Sequence, residues 1–499
     1  RDVERSRGLG DVYKRQVADL ESGRLTDEEA YRYIHSLWTM IENRRTTVNG
    51  RIIVGGKGRK HPKEADVFLH IAMKVAKNCR YVEPQFTLRF DKETSEEIWD
   101  EALDALGAGA TYPTLYNDDV NVPAVMYGMR VDEKTAEQYV PFGCTEFVIQ
   151  GQSTGTPNIC INLLKLLTIY MNDGIDPIDG KRKSGPVPLK KLEEYQTFEE
   201  FYDGYKALLD YYLDLSVKAQ YHSYEVMNQH VSFLFTSLLT DDCIARGKAL
   251  LDGGVRYLGG TNETYGNINT SDSLWVIRDL VFNQKKYTLR QLNDAMLANF
   301  NGYEALRKDC LNCDKYGNDL ETADTMANDL YEFVAKGVRN RGIAIGMQYF
   351  LIVISNNQLN TEWGNRTAAS PDGRLSCMYM NPANNPQGGA NKSGPTAMLN
   401  SLAKFDAKYH GGSVQNIKFS PSMFNENRAV IKSLFKTYFA KGGCHLMVTV
   451  VDKGVLEDAV EHPENYPDLI VRVSGFSAVF VDLSPNIQQE LLSRVLYDK

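Results

Sequence analysis

Apolar side chains along this chain recur at two spacings, one typical of helices and the other of strands. After Thr26, the apolar residues Ile34, Trp38 and Ile41 are three or four positions apart, which places them on one face of a helix. Thr26 is a typical N-cap residue, and acidic residues follow it in the first turn. The pattern therefore predicts a helix that begins after Thr26.

The same spacing predicts further helices over 65–78, 95–106, 159–171, 190–239 (one or two), 241–250, 289–299, 325–335, 394–403 and 484–496. Strands are predicted over 51–55, 85–91, 347–355, 414–420 and 445–451. The polar stretch 260–269 predicts a loop. Because strands and helices alternate through the whole chain, we expect an α/β architecture with a largely parallel sheet or a barrel.

Composition excludes several classes of function. The hydrophobic share of 43% and the charged share of 24% are typical of a soluble globular protein. The net charge of −8 argues against a nucleic-acid partner, because phosphate binding requires clustered basic side chains. No apolar run approaches the ~20 residues that span a bilayer, so we expect no membrane partner. The eight cysteines are scattered, which favours a reducing, cytoplasmic setting.

A glycine near the C-terminus stands between two strand-like runs, in Arg472-Val-Ser-Gly475-Phe-Ser-Ala478. Glycine in such a pattern usually marks a bulge or a close approach of two backbones. It also has a chemical property that no other residue shares. Without a side chain, its α-carbon can flatten between two amides, which spread an unpaired electron, whereas a Cβ would crowd the planar centre.

A second motif, Phe142-Gly143-Cys144-Thr145-Glu146, lies upstream, with Cys144 331 positions before Gly475. Together the two motifs resemble the glycyl radical enzymes of the eliminase branch, in the pyruvate formate-lyase-like superfamily. The resemblance covers residues 50–499. Other agreeing stretches follow in the family's order at 50–59, 113–119, 265–274, 369–374, 393–397 and 415–422.

The resemblance implies a fold, a modification and partners. Family members fold as a ten-stranded α/β barrel of two antiparallel half-barrels, and the Cys and Gly loops meet tip to tip at its centre. Gly475 would carry a glycine radical installed by a separate radical S-adenosylmethionine activating enzyme, with no bound cofactor. The resemblance further implies a small-molecule substrate, a homodimer of the full-length protein, and an anaerobic bacterium, with a bacterial microcompartment as an alternative location.

The resemblance gives Cys144 and Glu146 catalytic roles. The Cys144 S–H bond is weak enough to exchange a hydrogen atom reversibly with a radical at Gly475, and the thiyl can take a hydrogen atom from a substrate C–H. This relay requires a neutral thiol, which a partly buried apolar site favours. In an extended tip, positions i and i+2 point the same way, so the Glu146 carboxylate would lie beside the sulfur as a general base.

The reaction is less narrowly defined than the family. Thr145 stands where the pyruvate formate-lyase branch has a second cysteine, which argues against thioester chemistry. A dehydratase acting on a small hydroxylated substrate is the simplest hypothesis. C–N or C–S lysis and arylacetate decarboxylation on the same scaffold are alternatives. A non-catalytic chain that docks an activase or repairs a partner is a hypothesis of another class, but such a chain would not need the Cys144 loop.

Two further positions bear on substrate and metal. Asn158, fourteen residues after Cys144, stands where a glycerol-type enzyme would have Asp. It either hydrogen-bonds the substrate or shapes the turn with Pro157. Cys310 and Cys313 form a lone CxxC, whereas the anaerobic ribonucleotide reductases of the wider superfamily carry two such pairs for zinc, so we predict no metal site.

The start of the chain suggests a domain division. Residues 1–16 have no apolar period and resemble a translated sequencing adapter, so we expect them to be non-native. Family enzymes carry far more than the 143 residues found here before the catalytic cysteine. We therefore expect residues 17–375 to be the C-terminal portion of the barrel domain and residues 376–499 to be the glycyl radical domain. As an incomplete barrel, this chain alone is expected to be inactive.

Overall fold

The structure is a computed structural model that describes residues 10–44, 50–155, 158–355 and 358–498. Its strands are β1 (Ile52–Gly55), β2 (Phe86–Phe90), β3 (Thr114–Asn117), β4 (Tyr139–Phe142), β5 (Glu146–Ile149), β6 (Asn158–Asn162), β7 (Gly259–Tyr265), β8 (Tyr349–Ile354), β9 (His410–Ser413), β10 (Asn416–Phe419), β11 (His445–Val450), β12 (Ile470–Arg472) and β13 (Ser477–Val479).

Its α-helices are α1 (Gly10–Glu21), α2 (Asp27–Glu42), α3 (Pro62–Asn78), α4 (Glu96–Gly107), α5 (Asp118–Met129), α6 (Glu133–Ala136), α7 (Leu163–Met171), α8 (Phe198–His230), α9 (Leu234–Leu239), α10 (Cys243–Arg246), α11 (Asn267–Val276), α12 (Leu289–Leu297), α13 (Glu304–Asn312), α14 (Glu321–Ala344), α15 (Leu359–Gly364), α16 (Gly394–Ala403), α17 (Pro421–Glu426), α18 (Arg428–Ala440), α19 (Lys453–Glu461) and α20 (Pro485–Ser493). None of these described helices is long and apolar enough to cross a membrane.

The chain divides into two compact units, and the first combines Arg1–Ser153 with Val414–Lys499. Five of its strands form a sheet in the order β1-β2-β3-β11-β10. Neighbours in this sheet run parallel except β3 and β11, which pair antiparallel. Two antiparallel hairpins, β4 with β5 and β12 with β13, belong to the same unit. They carry the Cys144 motif and the Gly475 motif.

The second unit is Thr154–Ser413. Its sheet has the order β6-β7-β8-β9, and all neighbouring strands run parallel. Helices α8 and α14 pack against β7, and α14 also packs against β8. Helices and largely parallel sheets in both units confirm the predicted α/β class. The ten-stranded barrel stays a prediction.

Helix starts with a capping residue agree with the sequence pattern. Helix α2 begins at Asp27, and the Thr26 side chain accepts a hydrogen bond from the Glu29 backbone amide. Helix α4 begins after Ser95, which caps it in the same way. For the expected non-native segment 1–16, residues 1–9 lie outside the described part of the chain, and α1 begins at Gly10. The predicted turn at Pro157 also lies outside the described residues.

Two sequence predictions about β6 and β7 are wrong. The predicted helix 159–171 begins instead with strand β6, and Asn162 then caps α7. Its apolar run suits a buried parallel strand as well as a helix. The predicted loop 260–269 begins as β7, every residue of which is buried. Their polarity indicated exposure, but several of these buried side chains form hydrogen bonds, such as that from Asn262 Nδ2 to Ser216 Oγ of α8 at 2.7 Å.

A buried ion pair joins the five-stranded sheet to the Cys144 hairpin. Arg89 of β2 donates from Nε and Nη2 to the two carboxylate oxygens of Asp118, at 2.9 and 2.7 Å. The same guanidinium donates from Nη1 to the Tyr139 carbonyl of β4 at 2.8 Å, and the Tyr139 hydroxyl donates to Asp118 Oδ1 at 2.8 Å. The arrangement fixes the base of β4 against β2.

Replacing Asp118 with Asn tests this anchor. The change leaves the buried Arg89 guanidinium without its counter-charge, so we expect the free energy of unfolding to fall by about 3–5 kcal/mol. The measurement is urea denaturation followed by tryptophan fluorescence. Asp119→Asn is the matched control, because its side chain is about one-third exposed beside Lys57 and should contribute under about 1 kcal/mol. Equal losses in the two variants would contradict the assignment.

Candidate active site

The Cys144 loop is the tip of the hairpin formed by β4 and β5. Phe142 and Glu146 are the last paired residues, so the loop consists of Gly143, Cys144 and Thr145. Gly143 adopts a left-handed conformation with φ of 50°. A Cβ at Gly143 would lie 2.8 Å from Glu146 Oε2. Glycine is therefore required here by both the turn and the neighbouring carboxylate.

Arg51 holds this loop from the chain segment just before β1. Its Nη2 donates to the Gly143 carbonyl oxygen at 2.6 Å and to Gln85 Oε1 at 2.5 Å. Its Nη1 donates to Thr87 Oγ1 of β2 at 3.0 Å. The Arg51 guanidinium thus joins the backbone of the Cys144 loop to the start of β2. This contact fixes the direction in which Cys144 projects.

The Gly475 loop is the tip of the hairpin formed by β12 and β13. Arg472 and Ser477 are its last paired residues, and the Val473 amide donates to the Phe476 carbonyl at 3.0 Å. Gly475 is buried, with a left-handed φ of 80°. Val473 and Phe476 pack into an apolar cluster that includes residues of α19 and α20. The loop is therefore held by its own hydrogen bonds and by this core.

The tips of the two hairpins meet. A Cβ built on Gly475 would lie 2.6 Å from Cys144 Sγ and 2.7 Å from Cys144 Cα. Since a C–C bond is about 1.5 Å long, the α-carbon of Gly475 is no more than about 4 Å from the sulfur. Cys144 is 6% exposed. The structure thus brings the predicted thiol and the predicted glycine into contact away from water.

Glu146 adds a carboxylate to this contact. The Thr145 amide donates to Glu146 Oε2 at 2.9 Å, and the Glu146 side chain is buried. The carboxylate therefore lies beside the backbone of the Cys144 loop. Such a group can accept a proton in a site shielded from bulk water.

Arg472 is a buried cation next to the Gly475 loop. Its Nη1 donates to the Tyr112 hydroxyl at 3.1 Å and to Ser477 Oγ at 3.2 Å. Among the described residues, no carboxylate pairs with it, and its Nη2 has no hydrogen-bond partner. Burial lowers the pKa of Arg472, although Tyr112 opposes the shift. Burial also raises the pKa of Tyr116 to about 12, against the opposing effects of Arg51 and Arg472.

Asn158 lies in the second unit, at the start of β6. Its Nδ2 donates to Glu263 Oε1 at 2.6 Å, and its Oδ1 accepts a hydrogen bond from Thr261 Oγ1. Three of the four predicted site residues are thus brought together in the first unit, and Asn158 joins a polar cluster in the other. Its role in substrate binding stays a prediction.

One group of side chains in the described part of the chain could hold a metal ion. His70, Glu97 and Glu101 bring ligand atoms within 4.8 Å of one another. His70 is already hydrogen-bonded to Glu101 at 2.8 Å, and Glu97 is exposed. Because exposed acidic groups often occur without a metal, we assign none here.

Sequence analysis missed three side chains that shape the site. Arg51 is 92 positions upstream of the Gly143 carbonyl that it binds, and no local pattern links the two. Tyr116 lies in the stretch 113–119, which resembles the family, but no role was assigned to it from the sequence. Arg472 belongs to the Gly475 motif. Its nearness to Gly475 in the sequence was the only sequence signal that pointed to any of these three side chains.

The chain belongs to the pyruvate formate lyase-like family. The model of that family matches residues 12–359, and the glycine radical model matches residues 380–481. Both motifs therefore lie within matched regions.

Similar proteins include trans-4-hydroxy-L-proline dehydratase of Clostridioides difficile, which is 28% identical over 503 residues, or 97% of this chain and 63% of that protein. A solved structure that describes 1,2-propanediol dehydration in Roseburia inulinivorans matches this chain with a TM-score of 0.89 at 28% identity. The match covers 97% of this chain and 63% of that chain. The B12-independent glycerol dehydratase from Clostridium butyricum has a TM-score of 0.86 at 27% identity, with 95% and 62% covered. This chain thus spans about three fifths of the length of these relatives.

The contact of the two tips can be tested by adding a methyl group. Gly475→Ala introduces both a left-handed alanine, at a cost of about 1–3 kcal/mol, and a clash with Cys144 of similar size. Gly151→Ala is the matched control, because Gly151 has a φ of 71° and nothing within 4 Å of an added Cβ. We expect the larger loss of unfolding free energy at Gly475, measured by urea denaturation.

A double variant isolates the clash. Cys144→Gly removes the Cβ and Sγ atoms that the new methyl group would meet but leaves Cys144 Cα, which a Cβ on Gly475 would approach to 2.7 Å. Gly475→Ala should therefore cost less in this background than in the wild type, but still more than Gly151→Ala. A double-mutant cycle with no coupling between positions 144 and 475 would show that the tips do not touch.

Proposed function

We propose that this chain carries the reaction centre of a glycyl radical eliminase, most simply a dehydratase that removes water from a small hydroxylated substrate. The observation that carries the proposal is the contact of Gly475 with the Cys144 thiol, beside the Glu146 carboxylate. The three relatives named above act on hydroxyproline, propanediol and glycerol, and each of these substrates has a hydroxyl group.

The first step is a transfer of one hydrogen atom. The α-carbon radical of Gly475 takes the hydrogen of Cys144 S–H, which restores glycine and leaves a thiyl radical. The two atoms are close enough for direct transfer, and burial shields the radical from bulk water.

The second step is the elimination. The Cys144 thiyl takes the hydrogen atom from the substrate carbon that bears a hydroxyl, while Glu146 takes the proton of that hydroxyl. The resulting ketyl radical expels the hydroxyl group of the adjacent carbon as hydroxide, and the proton from Glu146 converts it to water. The product radical then takes back the hydrogen of Cys144, and the thiyl recovers a hydrogen atom from Gly475. The products are a carbonyl compound and water.

Thr145 supports elimination over acyl transfer. Its side chain is fully buried next to Cys144, where a second thiol would be needed to accept an acyl group. A hydroxyl is a much weaker nucleophile than a thiol near neutral pH.

The resemblance supports the remaining parts of the proposal. A radical S-adenosylmethionine activating enzyme would generate the Gly475 radical, and the full-length protein would be a homodimer in the cytoplasm. The chain would form part of a ten-stranded barrel, with residues 17–375 in the barrel domain and residues 376–499 in the radical domain.

Electron paramagnetic resonance after anaerobic activation tests the proposal. We expect a doublet from the one hydrogen left on the Gly475 α-carbon. In D2O the doublet should collapse to a singlet, because the Cys144 thiol exchanges with solvent and returns deuterium to the glycine. Cys144→Ala should keep the doublet in D2O and lose turnover, whereas Gly475→Ala should give no signal.

Oxygen provides a second readout on the same samples. A radical at Gly475 predicts cleavage of the chain there, with release of a peptide of about two dozen residues that mass spectrometry can identify. A spectroscopically proven radical at another residue, or an activated chain that stays intact in air, would overturn the assignment.

A further inference from the structure

Strand β7 presents a polar face away from the helix packed behind it. Asn262 points to α8, where it donates to Ser216, so the side chains of Thr261 and Glu263 project from the opposite face. Asn158 and Cys160 of the neighbouring strand pair with Thr261 and Glu263. Asn158 and Cys160 are partly exposed, so solvent reaches the β6 side of this face.

Glu263 is the centre of this face, and several neutral donors hold its carboxylate. Oε1 accepts from Asn158 Nδ2 at 2.6 Å. Oε2 accepts from the Tyr265 hydroxyl at 2.5 Å and from Ser355 Oγ at 3.0 Å. Thr261 fixes the orientation of Asn158 by donating to its oxygen, so the Asn158 amide group must face Glu263. The network holds a carboxylate anion in one orientation.

Among the described residues of this unit, no cation forms an ion pair with this carboxylate. Glu263 is 6% exposed, and no Lys, Arg or His among the described residues forms an ion pair with it. Two other buried carboxylates of the same unit are paired with a cation: Asp176 pairs with Lys165 at 2.8 Å and Asp324 with Lys404 at 2.7 Å. Neutral donors reduce the cost of burying a carboxylate but leave its net charge uncompensated.

We propose that Glu263 is a binding site of the second unit for a small protonated amine. A protonated amine supplies the missing positive charge and a donor for Oε1, whereas a hydroxyl supplies only a donor. Asn158 stands where the resemblance places an aspartate in glycerol-type enzymes. In this chain the nearby carboxylate is that of Glu263 on the adjacent strand, whose Oε1 is 2.6 Å from Asn158 Nδ2. A negative charge is therefore present next to position 158, although not on residue 158 itself.

Two probes of nearly equal size test the inference without any radical. The unactivated 499-residue chain is titrated at neutral pH with 1-amino-2-propanol, which is protonated, and with 1,2-propanediol, followed by ligand-observed NMR. We expect the amine to bind at least about tenfold more tightly, and Glu263→Gln to abolish this preference. Equal affinity for the two probes in the wild type, no binding of either, or an unchanged preference in Glu263→Gln would each overturn the inference.

Two further variants distinguish the effect of losing the negative charge from the effect of disturbing the fold. Glu263→Gln combined with Asn158→Asp moves the negative charge across to β6 and keeps a hydrogen bond between the two side chains. This double variant should regain the preference for the amine, even if Glu263→Gln alone folds poorly. Ser355→Ala removes one neutral donor and leaves the charge, so it should keep the preference. Loss of the preference in both variants would show that the network is structural.

The outcome of this binding test does not depend on whether Gly475 carries a radical. If Gly475 takes no radical but the amine preference depends on Glu263, the eliminase proposal fails and the cation site stands. If the radical forms and the preference is absent, the eliminase proposal stands and the inference about Glu263 fails.

Discussion

The approach of Gly475 to Cys144 is the contact on which the rest of the first unit depends. Each residue lies at the tip of an antiparallel hairpin, and the tips can touch because Gly475 has no Cβ. Both loops are short and closed directly by paired strands. A slip of one residue in either hairpin would turn every side chain of that strand to the opposite face and separate the two groups. The surrounding elements therefore act chiefly by keeping the strands of both hairpins in their pairing register.

Directional hydrogen bonds from arginines hold the Cys144 hairpin. Arg89 donates to the Tyr139 carbonyl at the base of β4, and Arg51 donates to the Gly143 carbonyl at its tip. Apolar packing alone tolerates small displacements, whereas a guanidinium fork specifies both distance and direction. A buried ion pair is a weak source of net stability. Our hypothesis is that the Arg89–Asp118 pair is kept because it positions β4, and the loss of register in Asp118→Asn would be its signature.

Local chemistry made part of this structure predictable. Gly475, Cys144 and Glu146 stand in short motifs whose residue types match one reaction, and Thr26 and Ser95 mark helix starts by capping. Long-range partners could not be predicted in this way, because nothing near Arg51 in the sequence points to Gly143. Strand β7 was missed for a related reason. Its polar residues indicate a loop until Asn158, Ser216 and Ser355 are known to satisfy them, and those partners come from three other segments.

The left-handed turn at Gly475 also gives its α-carbon a handedness. The position that a Cβ would take on an L-residue is the position of the pro-S hydrogen of glycine, and on Gly475 this direction points at the Cys144 sulfur. The pro-R hydrogen points away from the thiol. Only one of the two α-hydrogens of Gly475 therefore faces the thiol, although the two are equivalent in free glycine. The fold thus gives the two faces of this α-carbon different surroundings, a stereochemical distinction that the residue itself lacks.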